Sequence, residues 1–186
     1  MRSVALLATT QQVLEMVAAG ASLRDILGTL CAAIDAQSSD VMSMVMLMDP
    51  DRQRLWPAAG PRVPIDWTRA ISPLMIGQNM GSCGAAAFRG ERVIVSNVAT
   101  DPLWSAPLAT GSREVALEQG IRACWSQPIM SKDDVVLGTV SMYFAAPRTP
   151  TSADLQLLED AAHVAGIAIE EERSRSAQRR FRGKER

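Results

Sequence analysis

Cys83 is the residue whose local setting points most directly to chemistry. It follows Gly81 and Ser82 and precedes a run of small residues, 84–88, that predicts a short helix. Backbone amides at a helix N-terminus stabilise a thiolate, so Cys83 is a candidate redox or electrophile sensor. The alternative is a small buried residue that packs under this helix.

A single histidine restricts the metal chemistry that the chain can offer. Mechanisms that need two histidines, including most zinc sites, are excluded. His163 falls beside Gln156, Glu159 and Glu170 on the last predicted helix, away from its apolar stripe. This position is typical of a solvated or dimer-interface residue and not of a haem ligand. We therefore expect no metal and no cofactor.

Three cysteines, an odd number, provide no disulfide framework and fit a reducing cytoplasm, where we expect the protein to act. Cys31 shares the apolar face of a predicted helix with Leu27, Leu30 and Ile34, which indicates a core position. No stretch reaches the ~18 consecutive apolar residues of a transmembrane helix.

Length and composition favour one folded domain. The 186 residues are 47% hydrophobic and 21% charged, which is enough apolar surface for one core. Lys and Arg number 19 and Asp and Glu 20, so the formal charge of −1 excludes a globally basic nucleic-acid binder. The local exception is the basic segment 173–186. This segment could contact nucleic acid or an anionic membrane. We favour the alternative interpretation, a solvated helix extension or signalling linker.

Helical periodicity places amphipathic helices at both ends of the chain. The first covers residues 4–19. Ser22 with Asp25, and Thr151 with Asp154, form capping boxes that open the second helix and the last one.

Apolar runs between these helices predict an antiparallel sheet. Residues 41–48 and 53–59 flank a turn and form a hairpin. Two long strands, 121–130 and 135–145, are apolar on both faces, and a short strand covers 92–95. This element order is that of an α+β fold.

The long strands need cover on both faces of the sheet. If the terminal helices cover one face, the other is left to the irregular segment 60–120 and its short predicted helices, 65–74, 84–88 and 112–119. A sheet roofed by loops and short helices is a natural small-molecule pocket. A filled core is the alternative.

An ordered series of motifs resembles the GAF domains of bacterial signalling proteins. The series comprises GSCGAAAFRGERVIV at 81–95, DPLW at 101–104, GIRACWSQPI at 120–129 and VLGTV at 136–140. Such modules lie upstream of output domains in sensor kinases, cyclic-dinucleotide enzymes and transcriptional activators. The resemblance implies a central antiparallel sheet, dimer-forming terminal helices on one face and a ligand pocket on the other.

The resemblance also divides the chain and implies partners. Residues 1–21 form an N-terminal dimerisation helix, 22–172 the GAF-like domain, and 173–186 the basic helix extension or linker. The implied partners are a small-molecule ligand, a second copy of the chain, and an output domain or protein in transcriptional or two-component regulation. The sequence gives no strong indication of nucleic-acid or membrane binding.

One GAF type is an enzyme, the free methionine-R-sulfoxide reductase, and residues 81–87 resemble its Gly-x-Cys-Gly-x-Ala-Ala stretch. That enzyme needs a nucleophilic cysteine in the following loop, but residues 102–120 contain none. Its strand carboxylates correspond here to Cys124, Ser141 and Tyr143. The comparison therefore predicts a domain that is not an enzyme.

This comparison, combined with the alternation of side chains along strands, indicates which residues face the pocket. The wall of thioether, thiol and hydroxyl groups suits a small, mostly apolar or aromatic ligand. It does not suit a cyclic nucleotide, whose phosphate needs an arginine or a nest of amides. Core filling is an equal interpretation of the methionines. The predicted ligand-binding residues are Met42, Met44, Met46, Cys83, Trp104, Cys124, Ser126, Thr139, Ser141 and Tyr143.

Two further functions fit the same residues. One is a dimerisation module that binds no ligand. The other is a thiol-based redox sensor that uses Cys83 and Cys124.

Overall fold

The fold is built around one antiparallel sheet. The computed structural model describes residues 2–104 and 113–183. Within these ranges the strands are β1 (Val41–Met48), β2 (Arg54–Ala59), β3 (Leu74–Met75), β4 (Val93–Val95), β5 (Ala123–Met130) and β6 (Val136–Phe144). The helices are α1 (Arg2–Ala18), α2 (Leu23–Asp35), α3 (Ile65–Ala70), α4 (Gly81–Arg89), α5 (Arg113–Glu118) and α6 (Ser152–Gly183), with a 3-10 turn at Pro102–Trp104. The strand order is β3-β2-β1-β6-β5-β4.

Capping side chains open α2 and α6, as the sequence predicts. The Ser22 hydroxyl accepts a hydrogen bond from the backbone N–H of Asp25 at 3.1 Å and donates to its carboxylate at 2.7 Å. At α6, the N–H of Asp154 donates to the Thr151 hydroxyl at 3.2 Å, and the N–H of Thr151 donates to the Asp154 carboxylate at 2.9 Å. Both helix starts therefore satisfy backbone donors that the helix itself leaves unpaired.

Each face of the sheet has its own hydrophobic core. On one face, the terminal helices α1, α2 and α6 pack over a core that includes Leu27, Trp125 and Leu158. On the other, the core includes Trp67 of α3 and Ala85 of α4. The segment between β2 and β5 thus covers the face that the terminal helices leave open, which confirms the predicted α+β layers.

Several local predictions are corrected by the structure. The helix predicted over 65–74 ends at Ala70, and Leu74 and Met75 form β3 instead. Pro73 explains this end, because proline disfavours helical backbone in the residue before it. α4 begins at Gly81 and not at residue 84, so Cys83 lies within its first turn.

The remaining differences are small. Strand ends shift by one or two residues, which is the usual uncertainty of such boundaries. Ser112, the predicted start of the helix that becomes α5, lies outside the described residues, as do residue 1 and residues 184–186 of the basic segment.

Two glycines of the motif series are required by close backbone approach. A Cβ at Gly138 would overlap the carbonyl oxygen of Met46 on the neighbouring strand β1. A Cβ at Gly84 would lie 2.8 Å from the carbonyl oxygen of Met75 and 2.6 Å from the Met80 Cβ. A side chain at either position would therefore push apart the elements that frame the site.

α6 continues as one helix through the basic segment to Gly183. The Arg175 guanidinium donates to the carbonyl of Val17 in α1 at 3.0 Å and pairs with Glu171 at 3.5 Å. His163 is exposed on this helix, as predicted. None of the helices in the described ranges combines the length and the apolar character needed to cross a bilayer.

Candidate functional site

A buried cluster of thiol and hydroxyl groups lies where α4 packs on β5 and β6. The Ser82 Oγ lies 2.7 Å from the Cys124 Sγ, and the Cys83 Sγ lies 3.0 Å from the Ser141 Oγ. The Ser126 Oγ joins these pairs, at 3.1 Å from the Ser82 Oγ and 2.8 Å from the Ser141 Oγ. None of the five side chains is more than 5% exposed. Because burial strengthens these hydrogen bonds, the cluster fixes α4 against the sheet.

Tyr143 and Met44 extend the cluster towards β1. The Tyr143 hydroxyl lies 3.6 Å from the Cys83 Sγ and 3.9 Å from the Met44 Sδ, within hydrogen-bond distance of both sulfur atoms. The register places Cys124 opposite Tyr143, and Ser141 opposite Met44. Since side chains alternate along a strand, these residues share one face of the sheet.

The cluster separates the pKa values of its two thiols. The hydrogen bond with Cys124 is the main cause that lowers the pKa of Cys83 to about 6, and it outweighs the opposing effect of burial. The hydroxyls of Ser126, Ser141 and Tyr143 lower it further. Burial raises the pKa of Cys124 well above its ordinary value, and the contact with Cys83 raises it more. Near neutral pH, Cys83 is therefore the thiolate of the pair and Cys124 the thiol.

A small cavity adjoins the cluster under the roof formed by α3, α4 and the 3-10 turn. Its volume is about 10 Å³, roughly that of a single water-sized sphere. The lining consists of aromatic, aliphatic, thiol and hydroxyl groups, with no arginine, lysine, aspartate or glutamate. The lining residues are Trp67, Ile71, Leu74, Met80, Gly81, Ser82, Cys83, Trp104, Cys124 and Tyr143.

Two tryptophans form the aromatic wall of this cavity. Trp67 and Trp104 stack with ring centroids 5.8 Å apart, and Tyr143 meets Trp67 edge-on at 6.2 Å. The indole N–H of Trp104 is buried and has no hydrogen-bond partner among the described residues. A buried polar group left without a partner costs about 1–3 kcal/mol. An acceptor placed beside Trp104 would recover that free energy.

The structure places the predicted site residues in two groups. Cys83, Trp104, Cys124 and Tyr143 line the cavity, and Met44, Ser126 and Ser141 belong to the adjoining hydrogen-bonded cluster. The others, Met42, Met46 and Thr139, lie on the same face of the sheet but do not line the cavity. Thr139 is fully buried, and its hydroxyl has no partner among the described residues. Whether any of these residues binds a ligand stays a prediction.

Sequence reasoning missed Ser82 and Trp67. Ser82 stands next to Cys83 in the motif, and its hydroxyl was open to the same argument about a helix N-terminus. Trp67 gave a weaker signal, as an aromatic residue in a short helix of the irregular segment. Its contact with Trp104 depends on how two short elements pack, which no local pattern encodes.

Comparison with known proteins identifies the family of the chain. The sequence profile of the GAF domain family matches residues 20–170. The chain therefore belongs to the GAF domain family, and its sheet has the fold of that family.

Most of the chain is also similar to part of a curated sensor protein. The chain is 35% identical over 165 residues to the methyl sulfide methyltransferase-associated sensor of Methanosarcina acetivorans. The alignment covers 89% of this chain and 16% of the relative. The chain thus spans about a sixth of the length of the curated relative that it matches.

Solved structures show the shared fold. The free methionine-R-sulfoxide reductase of Neisseria meningitidis, solved with its substrate, matches with a TM-score of 0.71 at 18% identity, covering 94% of this chain and 91% of that one. The phycoerythrobilin-bound GAF domain of a cyanobacterial phytochrome matches with a TM-score of 0.67 at 17% identity, covering 92% and 97%. The GAF domain of an Acinetobacter phosphoenolpyruvate-protein phosphotransferase matches with a TM-score of 0.68 at 16% identity, covering 92% and 97%.

Proposed function

We propose that the chain is a sensory GAF module that binds a small, uncharged ligand in the cavity beside Trp104 and signals through a helical dimer. The indole N–H of Trp104, which has no hydrogen-bond partner among the described residues, is the observation that carries the proposal. It supplies a hydrogen-bond donor in the aromatic part of the wall, as does the indole N–H of Trp67, so the ligand should carry a hydrogen-bond acceptor. The lining holds no arginine or lysine that could pair with an anionic ligand, and a Cys83 thiolate would repel one.

Because the cavity is small, ligand binding there requires a conformational change. At about 10 Å³, it admits little more than a water molecule. A larger ligand must displace its roof, above all the stacked Trp67 and Trp104. A ligand that binds only the displaced arrangement shifts the population towards it, which is the property that a sensor needs.

The sheet connects this cavity to the terminal helices. Cys124 and Tyr143 face the cavity, while the adjacent residues Trp125 and Met142 point to the core beneath the terminal helices. A displacement of β5 or β6 therefore moves side chains in both hydrophobic cores, the one beside the cavity and the one beneath the terminal helices. Helices α1 and α6 pack together on that side and are the proposed dimer interface.

A thermal-shift assay with three neutral probes tests ligand recognition. Dimethyl sulfoxide has a strong acceptor oxygen, dimethyl sulfide a weak acceptor, and indole a donor; the sulfur compounds are chosen because the curated relative is a methyl sulfide methyltransferase-associated sensor. A probe at 100 times its Kd adds about 2.7 kcal/mol to the free energy of unfolding. We expect dimethyl sulfoxide to give the largest rise in Tm.

Two tryptophan variants provide the matched comparison. Trp104→Phe keeps an aromatic ring but removes the N–H, and should lose most of the rise in Tm. Trp56→Phe removes an indole that is 44% exposed on β2, outside the cavity, and should retain it. An equal response in both variants, or no response to any probe, would contradict the proposal.

We also propose that this module is not an enzyme. Residues 102–120 hold no cysteine, so the loop nucleophile implied by the reductase comparison is missing. Incubation with free methionine-R-sulfoxide and a thiol reductant should give no methionine above the uncatalysed background. Turnover that is abolished by Cys83→Ser would overturn this part of the proposal.

A further inference from the structure

We propose that Cys83 and Cys124 are a dithiol that hydrogen peroxide oxidises to a disulfide, a modification site that goes beyond ligand binding at Trp104. The two thiols lie on separate elements, Cys83 on α4 and Cys124 on β5. Both also lie near the Ser126 Oγ, at 3.4 Å and 3.9 Å. Both line the same cavity.

The reaction balances with peroxide as the oxidant. The Cys83 thiolate attacks one peroxide oxygen, the O–O bond breaks, and sulfenic acid and hydroxide form. The Cys124 sulfur then attacks the Cys83 sulfur, so that the S–S bond forms as the S–OH bond breaks. The Cys124 proton leaves with that hydroxyl as water. Overall, two thiols lose two electrons and two protons, and one peroxide becomes two waters.

The groups around the two thiols favour a different role for each of them, with Cys83 reacting with peroxide first and Cys124 closing the disulfide. Ser126 donates a hydrogen bond to Cys83, and the Ser141 and Tyr143 hydroxyls lie within hydrogen-bond distance of the same sulfur. These groups stabilise a thiolate at Cys83, consistent with its lowered pKa. Cys124 is protonated before the attack, because its pKa is raised; as the S–S bond forms, its proton passes to the departing hydroxide, so that its sulfur attacks as a thiolate.

The cavity selects the oxidant by size. A space of about 10 Å³ holds no more than about one water molecule, so the smallest oxidant needs the least displacement of the roof. Hydrogen peroxide is the smallest hydroperoxide, whereas tert-butyl hydroperoxide is too bulky to reach Cys83 without displacement of the tryptophans. The site should therefore discriminate between these two oxidants.

A disulfide here would change the contact between α4 and the sheet. The Cys124 sulfur now lies 2.7 Å from the Ser82 Oγ. A bond to Cys83 would draw it away from Ser82 and join α4 covalently to β5. Because β5 also packs against α6, oxidation would act on the same layer of terminal helices that we propose responds to ligand binding.

Peroxide treatment of the folded chain, followed by thiol blocking and non-reducing peptide mapping, tests the proposal. We expect a peptide pair linked through Cys83 and Cys124, and a mass lower by two hydrogen atoms. In Cys124→Ser, the Cys83 sulfenic acid should accumulate and be trapped by dimedone when the oxidised sample is unfolded in the presence of that reagent. Oxidation of the wild-type chain by tert-butyl hydroperoxide should be about tenfold slower or more at equal concentration.

Cys31→Ala is the matched control, because Cys31 is buried on the opposite side of the sheet and its pKa is raised to about 12 by burial. This variant should form the disulfide as the wild type does. A wild-type chain that forms no Cys83–Cys124 disulfide while folded, or forms it only after unfolding, would overturn the proposal. That outcome is read on the unaltered chain, so it does not depend on how the variants fold, and it leaves the ligand proposal intact.

Discussion

Cys83 and Cys124 show how far residue types alone can be interpreted. The motif placed Cys83 near a helix start, and strand alternation together with the family resemblance placed Cys124 on the inner face. Their position beside the same Ser126 hydroxyl was beyond prediction, because it depends on where α4 packs on the sheet. The two thiols differ in pKa for that reason and not because of their neighbours in sequence.

The lowered pKa of Cys83 predicts the pH dependence of its reactivity. The titratable groups that face it are Cys124 from β5 and Tyr143 from β6, and the pKa of each is raised, so both stay protonated near pH 6. The rate of Cys83 oxidation by hydrogen peroxide should therefore rise with pH and reach half its maximum near the pKa of about 6. Peptide mapping of quenched samples measures the rate, and a midpoint at about 8.5, the ordinary value for cysteine, would contradict the assignment.

The elements were predicted best where local chemistry determines them. The capping boxes at Ser22 and Thr151 gave the starts of α2 and α6. Among the short elements, α3 was predicted too long and β3 was not predicted, because a two-residue strand depends on its partner β2 and not on its own sequence. The cavity roof is built from such short elements, so its shape was not predictable.

The Asp154 cap gives a stability prediction at this scale. Burial alone would raise the pKa of Asp154, but hydrogen bonds from Thr151 and the Arg148 guanidinium, 3.0 Å away, outweigh it and lower the pKa. The stabilisation is therefore fully present above the unfolded-state pKa, about 3.9, and is lost as pH falls through the lower folded-state value. Asp154→Asn should reduce the free energy of unfolding by about 1–2 kcal/mol at pH 7.

Urea unfolding at pH 7 and at pH 3 measures both effects. The difference between Asp154→Asn and the wild type should shrink at the lower pH. Asp160→Asn is the control on the same helix, because that carboxylate accepts one hydrogen bond from the exposed Gln156 at 2.9 Å. A loss as large in the control, or a difference that grows at pH 3, would contradict the cap as the cause.

The molecule as a whole has two layers on one sheet, and the GAF resemblance predicted both. The cavity volume was not predictable, because small differences in how the side chains of Trp67, Trp104 and Tyr143 pack change it. A cavity lies on the face where the layer argument predicts a pocket, but it is much smaller than a ligand site that is fully formed in advance, so ligand binding there stays a prediction.

The proposed dimer is testable on the helical layer. Leu14 of α1 and Ile167 of α6 are 40% and 37% exposed although they are apolar, which suits a surface that a second copy covers. The double variant Leu14→Glu with Ile167→Glu should have the mass of a monomer in light scattering, where the wild type has that of a dimer. Ile65→Glu, which changes an exposed residue on the opposite layer, should remain dimeric. Equal masses for the wild type and the double variant would contradict this interface.

The most direct test of the account is a titration of the tryptophan indole N–H signals by ¹H–¹⁵N NMR. The four indoles give separate probes, and the Trp104 signal is assigned by its loss in Trp104→Phe. On addition of dimethyl sulfoxide, we predict that this signal moves downfield and saturates, because its N–H gains an acceptor, while the exposed Trp56 signal stays in place. Movement of Trp56 alone, or a Trp104 signal that stays in place up to the highest probe concentration at which the chain remains folded, would contradict ligand binding in this cavity.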